Sequence, residues 1–311
     1  MSTGEPCFDV AHLGHLELLT DRPEESLDFF VNVYGLTESG REGDSVYLRA
    51  FDEFHRHSLV LREADEAGLD YFAFKADSQA NVDKFRQRLQ DYGLEVFDIA
   101  AGEQPGVGAR IGFRTPTGHE IQLFAEMELS TSENAPETKN PYIWNVAPKG
   151  MRAQRLDHCL LYGPNIREVE KIFTDCLDFL TPERVETPDG TLGIWMTVSN
   201  KAHDIAFVEH PEPGKLHHIA FFLENWNDIG HAADIMTRYD ISRDLGPTRH
   251  GITRGQTIYF FDPSGNRNEV FSGGYTFYKD QPTRVWDHNN VGRGIFYYER
   301  QLNEAFLSVV T

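Results

Sequence analysis

Cysteine is scarce in this chain of 311 residues. Only Cys7, Cys159 and Cys176 occur, in an odd number and without a CxxC spacing. That pattern argues against a disulfide framework and against a zinc knuckle. We therefore expect a reducing, cytoplasmic setting, in which Cys159 and Cys176 serve as small apolar residues.

Basic charge and long apolar runs are also in short supply. Lys and Arg total 29 against 49 Asp and Glu, a formal net charge of -20, which repels phosphate backbones and anionic lipid surfaces. The longest apolar stretches, such as Ile219–Leu223, fall far short of the ~20 residues that span a bilayer. Residues 1–7 lack the basic start and apolar run of a secretory signal. We expect neither a nucleic-acid partner nor a membrane partner.

The composition that remains is that of an ordinary globular protein, with 40% hydrophobic and 25% charged residues. A chain of this length has room for two domains, each with its own core. The segment Ser130–Lys149 is rich in Ser, Thr, Asn, Glu and Pro, which is typical of a linker. The sequence therefore predicts a first domain of residues 1–150 and a second of residues 151–311.

Four similar modules follow one another along the chain. Each begins with a strand, continues into a helix with apolar residues at helical spacing, and ends in further strands. The opening strands and their helices are predicted at Leu13–Leu19 and Ser26–Gly35, Tyr71–Lys75 and Gln79–Tyr92, Leu156–Tyr162 and Val169–Leu180, and His218–Phe222 and Trp226–Tyr239. Four βαβββ modules, paired two by two, predict an α+β fold of two domains. The residues after Gly274 are expected to pack as a C-terminal cap.

Superposing the modules pairs chemically different residues in the two halves. His15 falls opposite His158, Tyr71 opposite His218, and Gln122 opposite Glu269. Two imidazoles and a carboxylate form a ligand set for a metal, whereas one imidazole, a phenol and a neutral amide cannot hold a divalent ion tightly. A lone strand histidine is more often a hydrogen-bonded or surface residue, but here three ligands arrive together. The sequence predicts a metal bound by His158, His218 and Glu269, and a first half that acts as scaffold.

The residues before the last of these ligands follow a specific pattern. His250 is followed at fixed spacing by Tyr259, then by the pair Asp262-Pro263, Gly265 and the ligand Glu269. This pattern fits the signature of extradiol ring-cleavage dioxygenases. Over most of its length, and most strongly from Lys201 onward, the chain resembles the catechol 2,3-dioxygenase family. That family has the two-domain βαβββ fold of the vicinal oxygen chelate superfamily.

The resemblance implies a ferrous ion, or manganese in its place, with open positions for a vicinal diol and dioxygen. It implies that His203 is the acid–base residue that donates a proton as the O–O bond breaks. By the same resemblance, His250 and Tyr259 hydrogen-bond the substrate oxygens. The expected reaction converts catechol or a substituted catechol to a 2-hydroxymuconic semialdehyde, in the breakdown of aromatic compounds. A homotetramer is also implied.

Six further residues are expected to form the wall of the substrate pocket if the resemblance holds. Apolar side chains there would grip the ring by stacking and burial. They are Trp195, Met196, Ile252, Thr253, Ile295 and Phe306.

Other functions remain compatible with parts of this pattern. The same chemistry could act on a bulkier diol such as a dihydroxybiphenyl, because the sequence gives the pocket shape poorly. A metal-dependent isomerase of the glyoxalase type uses the same scaffold, but usually takes ligands from both halves, which Tyr71 and Gln122 disfavour. A non-catalytic, antibiotic-sequestering module would lack the metal ligands altogether.

Two adjacent histidines, His217 and His218, need to be distinguished. Successive strand residues point to opposite faces of a sheet, so only one of the two is expected to reach the interior. The repeat and the resemblance both select His218. His217 is therefore expected behind the ligands or at the surface.

Overall fold

The computed structural model describes residues 10–130, 147–308 and 311. The predicted linker Ser130–Lys149 therefore lies mostly outside the described residues, as does Cys7. Over the described ranges, no helix is long and apolar enough to cross a membrane.

The four predicted βαβββ modules are present, two in each half of the chain. The first half contains β1 (Val10–Thr20), α1 (Pro23–Asp28), β2 (Thr37–Glu42), β3 (Ser45–Arg49), β4 (Leu59–Glu63), β5 (Gly68–Ala76), α2 (Gln79–Tyr92), β6 (Val96–Ile99), β7 (Arg110–Arg114) and β8 (Glu120–Phe124). The second half contains β9 (Arg155–Gly163), α3 (Ile166–Leu177), β10 (Leu180–Thr187), β11 (Gly190–Thr197), β12 (Ile205–Glu209), β13 (Lys215–Phe222), α4 (Trp226–Arg238), β14 (Arg243–Arg249), β15 (Gly255–Phe261) and β16 (Arg267–Gly273). The C-terminal segment adds β17 (Arg284–Asp287), α5 (Val291–Ile295) and α6 (Glu304–Ser308).

The strands of the described residues form two sheets, one from each half. The first has the order β2-β3-β4-β1-β5-β8-β7-β6, and the second β14-β15-β16-β13-β9-β12-β11-β10-β17. In each sheet two modules meet through their opening strands, which run antiparallel as β1 beside β5 and β9 beside β13. The predicted α+β fold is confirmed. The C-terminal segment joins the second sheet at its edge, where β17 runs parallel to β10.

The sequence did not predict the second strand of each module, namely β2, β6, β10 and β14. These strands lie at the ends of their sheets or next to the end. β2 and β14 are mostly half-buried or exposed. An edge strand with polar residues carries little of the apolar alternation on which sequence patterns depend.

The first helix differs in detail from its predicted range. It begins at Pro23, because proline suits the first position of a helix. It then continues as a π-helical turn over Phe29–Tyr34 and ends at Gly35, where φ is 87°. A Cβ atom at Gly35 would lie 2.1 Å from the carbonyl oxygen of Lys149. Both the left-handed backbone and this close approach therefore require glycine.

A hydrophobic core runs through both halves. The ring of Phe29 packs near Phe260 and that of Tyr34 near Phe221, with centroid separations of 6.0 Å and 5.2 Å. The buried Tyr34 hydroxyl also donates a hydrogen bond to the Glu269 carbonyl oxygen at 3.2 Å. The first half thereby holds the backbone of strand β16, from which a predicted metal ligand projects.

Candidate metal centre

The three predicted ligands lie on neighbouring strands at the centre of the second sheet. His158 is on β9, His218 on β13 and Glu269 on β16, and β13 lies between the other two. Ala220 of β13 pairs with both His158 and Glu269, and His218 precedes it by two residues. Because side chains alternate between the two faces of a sheet, all three ligands project from one face.

Their ligand atoms converge in the interior. His158 Nε2 lies 2.8 Å and His218 Nε2 3.0 Å from Glu269 Oε2, and the three ligand atoms lie within 4.8 Å of one another. Ligands bound at about 2.1 Å and at right angles would be about 3 Å apart. All three side chains are buried. Within the part of the chain that the structure describes, no other group of His, Cys, Asp and Glu has such a geometry.

The charges and unsatisfied atoms of this group also fit a cation. Glu269 Oε1 and His218 Nε2 lack a hydrogen-bond partner among the described residues, although His218 Nε2 lies close to Glu269 Oε2. Burial raises the pKa of the Glu269 carboxyl, but His158 and His218 outweigh it and hold the pKa well below its usual value. Burial lowers the pKa of His218 to about 4. A buried carboxylate between imidazoles, with ligand atoms left unpaired, is the donor set that a divalent ion requires.

Asp157 orients the first ligand from behind. Its Oδ2 atom accepts a hydrogen bond from His158 Nδ1 at 2.8 Å, which leaves Nε2 directed at the centre. Its Oδ1 atom lies 3.0 Å from Arg155 Nη2 and 3.5 Å from Lys201 Nζ. Burial raises the pKa of the Asp157 carboxyl, but Lys201 and His158 outweigh it and hold the pKa well below its usual value. Asp157 was not predicted from the sequence, although its position next to a strand ligand was a usable signal.

His203 lies against the metal-ligand group, as the resemblance implies. Its ring centroid is 4.0 Å from that of His158, and its side chain is buried at the wall of a cavity that also contains the three ligands. Burial, reinforced by His158, lowers the pKa of His203 well below its usual value. The imidazole is therefore neutral before any reaction begins.

His250 and Tyr259 form a hydrogen-bonded pair on the other side of Glu269. The Tyr259 hydroxyl lies 2.7 Å from His250 Nε2, and His250 Nε2 lies 3.9 Å from Glu269 Oε1. His250 Nδ1 donates to the carbonyl oxygen of Ile295. Because a neutral imidazole carries one N–H, His250 Nε2 accepts from the Tyr259 hydroxyl. This pair faces the same cavity as the ligands.

Five of the six predicted wall residues line this cavity. They are Trp195, Ile252, Thr253, Ile295 and Phe306. Met196 does not line it and was wrongly placed there. It follows Trp195 on β11, so its side chain points to the opposite face, and it packs in the main hydrophobic core.

Several other wall residues were not predicted from the sequence. Leu160 and Tyr162 follow His158 at steps of two along β9, and Phe271 follows Glu269 by two along β16. The period of two along the ligand strands was the signal that could have found them. The backbone N–H of Thr253 donates to the buried Glu183 Oε1 at 2.7 Å, which fixes the wall loop. No pattern in the sequence indicated that contact.

One expectation for His217 is confirmed and another was wrong. His217 lies behind a ligand as expected, because its Nδ1 atom is 2.7 Å from His218 Nδ1, but the expectation that only one of the two histidines reaches the interior was wrong. Both His217 and His218 line the cavity. The pairing of β13 with β9 shifts register between Leu216 and His218, so that His217 is the extra residue of a bulge. A β-bulge re-aims a side chain within a strand, and here it brings two successive histidines to the same interior.

Comparison with known proteins places the chain in a family. Residues 69–128 match the model of the catechol 2,3-dioxygenase-like N-terminal domain. Residues 155–270 match that of the glyoxalase/bleomycin resistance protein/dioxygenase superfamily. Metapyrocatechase of Pseudomonas sp. (strain CF600) is 46% identical over 97% of this chain and 99% of its own length.

Two further relatives extend the comparison. The manganese-dependent 2,3-dihydroxybiphenyl 1,2-dioxygenase of Geobacillus genomosp. 3 is 34% identical over 93% of this chain and 94% of its own. The crystal structure of the 2,3-dioxygenase LapB from Pseudomonas sp. KL28 superposes with a TM-score of 0.87 at 46% identity, covering 91% of this chain and 99% of that one. The chain therefore belongs to the catechol 2,3-dioxygenase family of extradiol dioxygenases, within the glyoxalase/bleomycin resistance protein/dioxygenase superfamily.

Proposed function

We propose that this protein is an extradiol dioxygenase that cleaves catechol or a substituted catechol with dioxygen to a 2-hydroxymuconic semialdehyde. The observation that carries this conclusion is the convergence of His158, His218 and Glu269 on one buried cavity, with His203, His250 and Tyr259 around it. The 46% identity to a metapyrocatechase over nearly the whole chain supports the same reaction.

The metal is proposed to be Fe(II), with Mn(II) as the alternative that the manganese-dependent relative suggests. His158, His218 and Glu269 would hold it. A ferrous ion in such a site supplies open positions for the diol and dioxygen and a path for electrons between them. One carboxylate leaves a local net charge of +1 on a divalent ion, which favours binding of the diol as a monoanion.

His250 and Tyr259 are proposed to orient the diol. In the free protein the Tyr259 hydroxyl donates to His250 Nε2. A substrate oxygen placed between them could accept from the Tyr259 hydroxyl or donate to His250 Nε2, and either contact fixes the ring relative to the ligands. Burial, reinforced by Glu269, raises the pKa of Tyr259 well above its usual value, so its hydroxyl stays protonated as a donor.

His203 is proposed to manage the proton that ring opening requires. It lies beside His158, and its imidazole is neutral because burial keeps its pKa low. A neutral, buried imidazole can take a proton from the diol as it binds and return it when the O–O bond breaks. Both oxygen atoms of dioxygen then remain in the product.

The apolar lining of the cavity and the 46% identity to a metapyrocatechase favour a single-ring diol. Trp195, Ile252, Ile295 and Phe306 give the cavity mainly apolar walls. A dihydroxybiphenyl is the second candidate, because dioxygenases of dihydroxybiphenyls are among the relatives of this chain.

The first half, residues 1–150, is proposed to be a metal-free scaffold, with residues 151–311 as the catalytic domain. In the second sheet Ala220 pairs with both His158 and Glu269. At the equivalent position of the first sheet, Ala73 pairs with both His15 and Gln122. A neutral amide in place of the carboxylate disfavours a metal there, and with it a glyoxalase-type site. Assembly into a homotetramer and a cytoplasmic location are also proposed.

The test is to purify the protein without air, load it with Fe(II) or Mn(II), and add catechol and oxygen. Extradiol cleavage of catechol gives a yellow ring-fission product whose absorbance can be followed. The same assay with 2,3-dihydroxybiphenyl and with 3- and 4-alkylcatechols ranks the substrates. Glu269→Gln, purified in parallel, is the control without the ligand carboxylate. Metal-loaded protein that consumes oxygen with none of these diols would contradict the proposed function.

A further inference from the structure

His217 forms a bridge between the metal site and the C-terminal segment. Its side chain is 1% exposed. Its Nδ1 atom lies 2.7 Å from His218 Nδ1, and its Nε2 atom lies 3.0 Å from the carbonyl oxygen of Phe306 in helix α6. The β-bulge at this position is what allows both rings to face the cavity. His217 therefore contacts a ligand on one side and the backbone of a pocket-wall residue on the other.

Hydrogen-bond chemistry fixes where the protons of this bridge lie. A carbonyl oxygen can only accept, so His217 Nε2 carries the hydrogen that is donated to Phe306. A neutral imidazole has one N–H, so His217 Nδ1 is then an acceptor. Two nitrogens at 2.7 Å must share one hydrogen, which His218 Nδ1 supplies. The remaining nitrogen of His218, Nε2, is left with a free lone pair directed at Glu269 and the centre.

The two ligand histidines are thus oriented by different acceptors. His158 Nδ1 donates to the Asp157 carboxylate at 2.8 Å, whereas His218 Nδ1 faces a neutral imidazole. Partners behind metal-bound histidines fix their tautomer and ring orientation. An imidazole acceptor can do so only while its own tautomer is fixed, and here the Phe306 carbonyl fixes it. The ring of Phe306 meanwhile packs on Tyr259 at 4.8 Å between centroids.

We propose that His217 is a positioning residue, held in one tautomer by the Phe306 carbonyl, that presents the Nε2 lone pair of His218 to the metal. This inference rests on the proposed metal site and names the residue that makes its second histidine a competent ligand. The proposed role also links the metal site to the position of helix α6. Phe306 of that helix supplies both a side chain at the wall of the substrate cavity and the carbonyl oxygen that sets the tautomer of His217.

Three substitutions separate this role from simple packing. His217→Asn places a carbonyl oxygen near the former Nδ1 and keeps an acceptor for His218. His217→Gln places its amide farther out, near the former Nε2, and His217→Phe keeps the ring but neither nitrogen. The matched control is His57→Phe, a buried histidine of the first half whose ring nitrogens have no hydrogen-bond partner among the described residues.

The measurement is the dissociation constant of Mn(II) for metal-free protein, obtained by competition with a chelator. Thermal unfolding of each metal-free variant verifies that it is folded. We expect His217→Phe and His217→Gln to bind Mn(II) about 10–100-fold more weakly than the wild type, and His217→Asn to stay within about threefold of it. His57→Phe should match the wild type.

Three results would overturn the inference. The first is wild-type affinity in His217→Phe, and the second is an equal loss in His217→Asn and His217→Phe, because a merely structural role predicts no rescue by asparagine. The third is a comparable loss in His57→Phe, which would make the effect a general consequence of removing a buried histidine. A wild-type protein that bound no divalent ion would overturn the metal site as well, so the two failures are distinguishable.

Discussion

Replacing Asp157 by asparagine is expected to weaken metal binding by about thirtyfold. The Asp157 carboxylate is 2.8 Å from His158 Nδ1, which places it about 7 Å from a metal bound at Nε2. A charge of -1 and one of +2 at that distance attract by about 5 kcal/mol at an effective dielectric constant of about 20. Arg155 and Lys201 lie 3.0 Å and 3.5 Å from the other carboxylate oxygen and are partly exposed. Without the carboxylate they can turn away from the metal into solvent, and the repulsion so relieved offsets roughly half of the loss.

The remaining loss of about 2 kcal/mol corresponds to about thirtyfold in the dissociation constant. That value lies within the 10–100-fold range usual for groups behind a metal-bound histidine. The assay is competition for Mn(II) between a chelator and the metal-free protein, at fixed pH and ionic strength. Asparagine keeps an oxygen acceptor for His158, so the expected change comes from the lost charge.

Asp204→Asn is the matched control for this prediction. Asp204 is also buried and also pairs with Lys201, at 3.0 Å, but its carboxylate accepts from Thr197 and Val198 rather than from a ligand. We expect this variant to lose stability while its affinity for Mn(II) stays within about threefold of the wild type. Equal affinity of Asp157→Asn and the wild type, or equal losses in the two variants, would refute the electrostatic reasoning.

Three further predictions follow from the same contacts. Glu269→Gln should lose its bound metal, whereas Gln122→Ala should retain a full equivalent, as measured by metal content after gel filtration; equal contents would contradict the assignment of the site to the second half. His203→Phe should bind catechol, as followed by titration, but turn it over about 10²–10⁴-fold more slowly, and normal turnover would remove its proposed role. Burial lowers the pKa of His119 to about 4, below that of an unfolded histidine at about 6.5, so the unfolded chain takes up a proton there as the pH falls. The free energy of unfolding should therefore decrease between about pH 6.5 and pH 4, by less in His119→Gln than in the wild type, and identical pH profiles in denaturant titrations would count against this linkage.

The modules and the ligand set could be predicted from the sequence because both are repeated or strongly patterned. His158 and Glu269 occupy positions in the second sheet that are equivalent to those of His15 and Gln122 in the first. Aligning the two halves of the sequence was therefore enough to show which half has the metal ligands. The alternation of side chains between the two faces of a sheet also predicts correctly which residues face the cavity, provided that the strand is regular. It would have excluded Met196 from the cavity if it had been applied to the residue after Trp195.

The arrangement of His217 could not be predicted in the same way. Alternation along β13 requires regular pairing, and the register shift between Leu216 and His218 breaks it. A bulge depends on how two strands distant in sequence are paired, and β13 itself carries no residue that marks it. The contact of His217 with Phe306 joins residues 89 positions apart, and no local pattern reports such a contact.

The first half retains part of the same constellation, which shows what a metal site in this fold requires. His57 lies two residues before the first residue of β4, Leu59, and His203 lies two residues before the first residue of β12, Ile205. Leu59 pairs with the residue after His15, and Ile205 pairs with the residue after His158. The first half thus has counterparts of both His158 and His203. It differs at the other two ligand positions, where Tyr71 stands in place of His218 and Gln122 in place of Glu269.

At the position of Gln122 the protein itself supplies a cation, the side chain of Arg110. Arg110 is buried and donates from Nη1 to Gln122 Oε1 at 2.8 Å. Arg110 pairs with Phe124, two residues after Gln122, and Thr257 pairs with Phe271, two residues after Glu269. The first half therefore sets a guanidinium against a neutral amide, while the second sets a short threonine beside a carboxylate and leaves room for an ion. A buried carboxylate needs a cation, and the side chain opposite it decides whether that cation can be a metal.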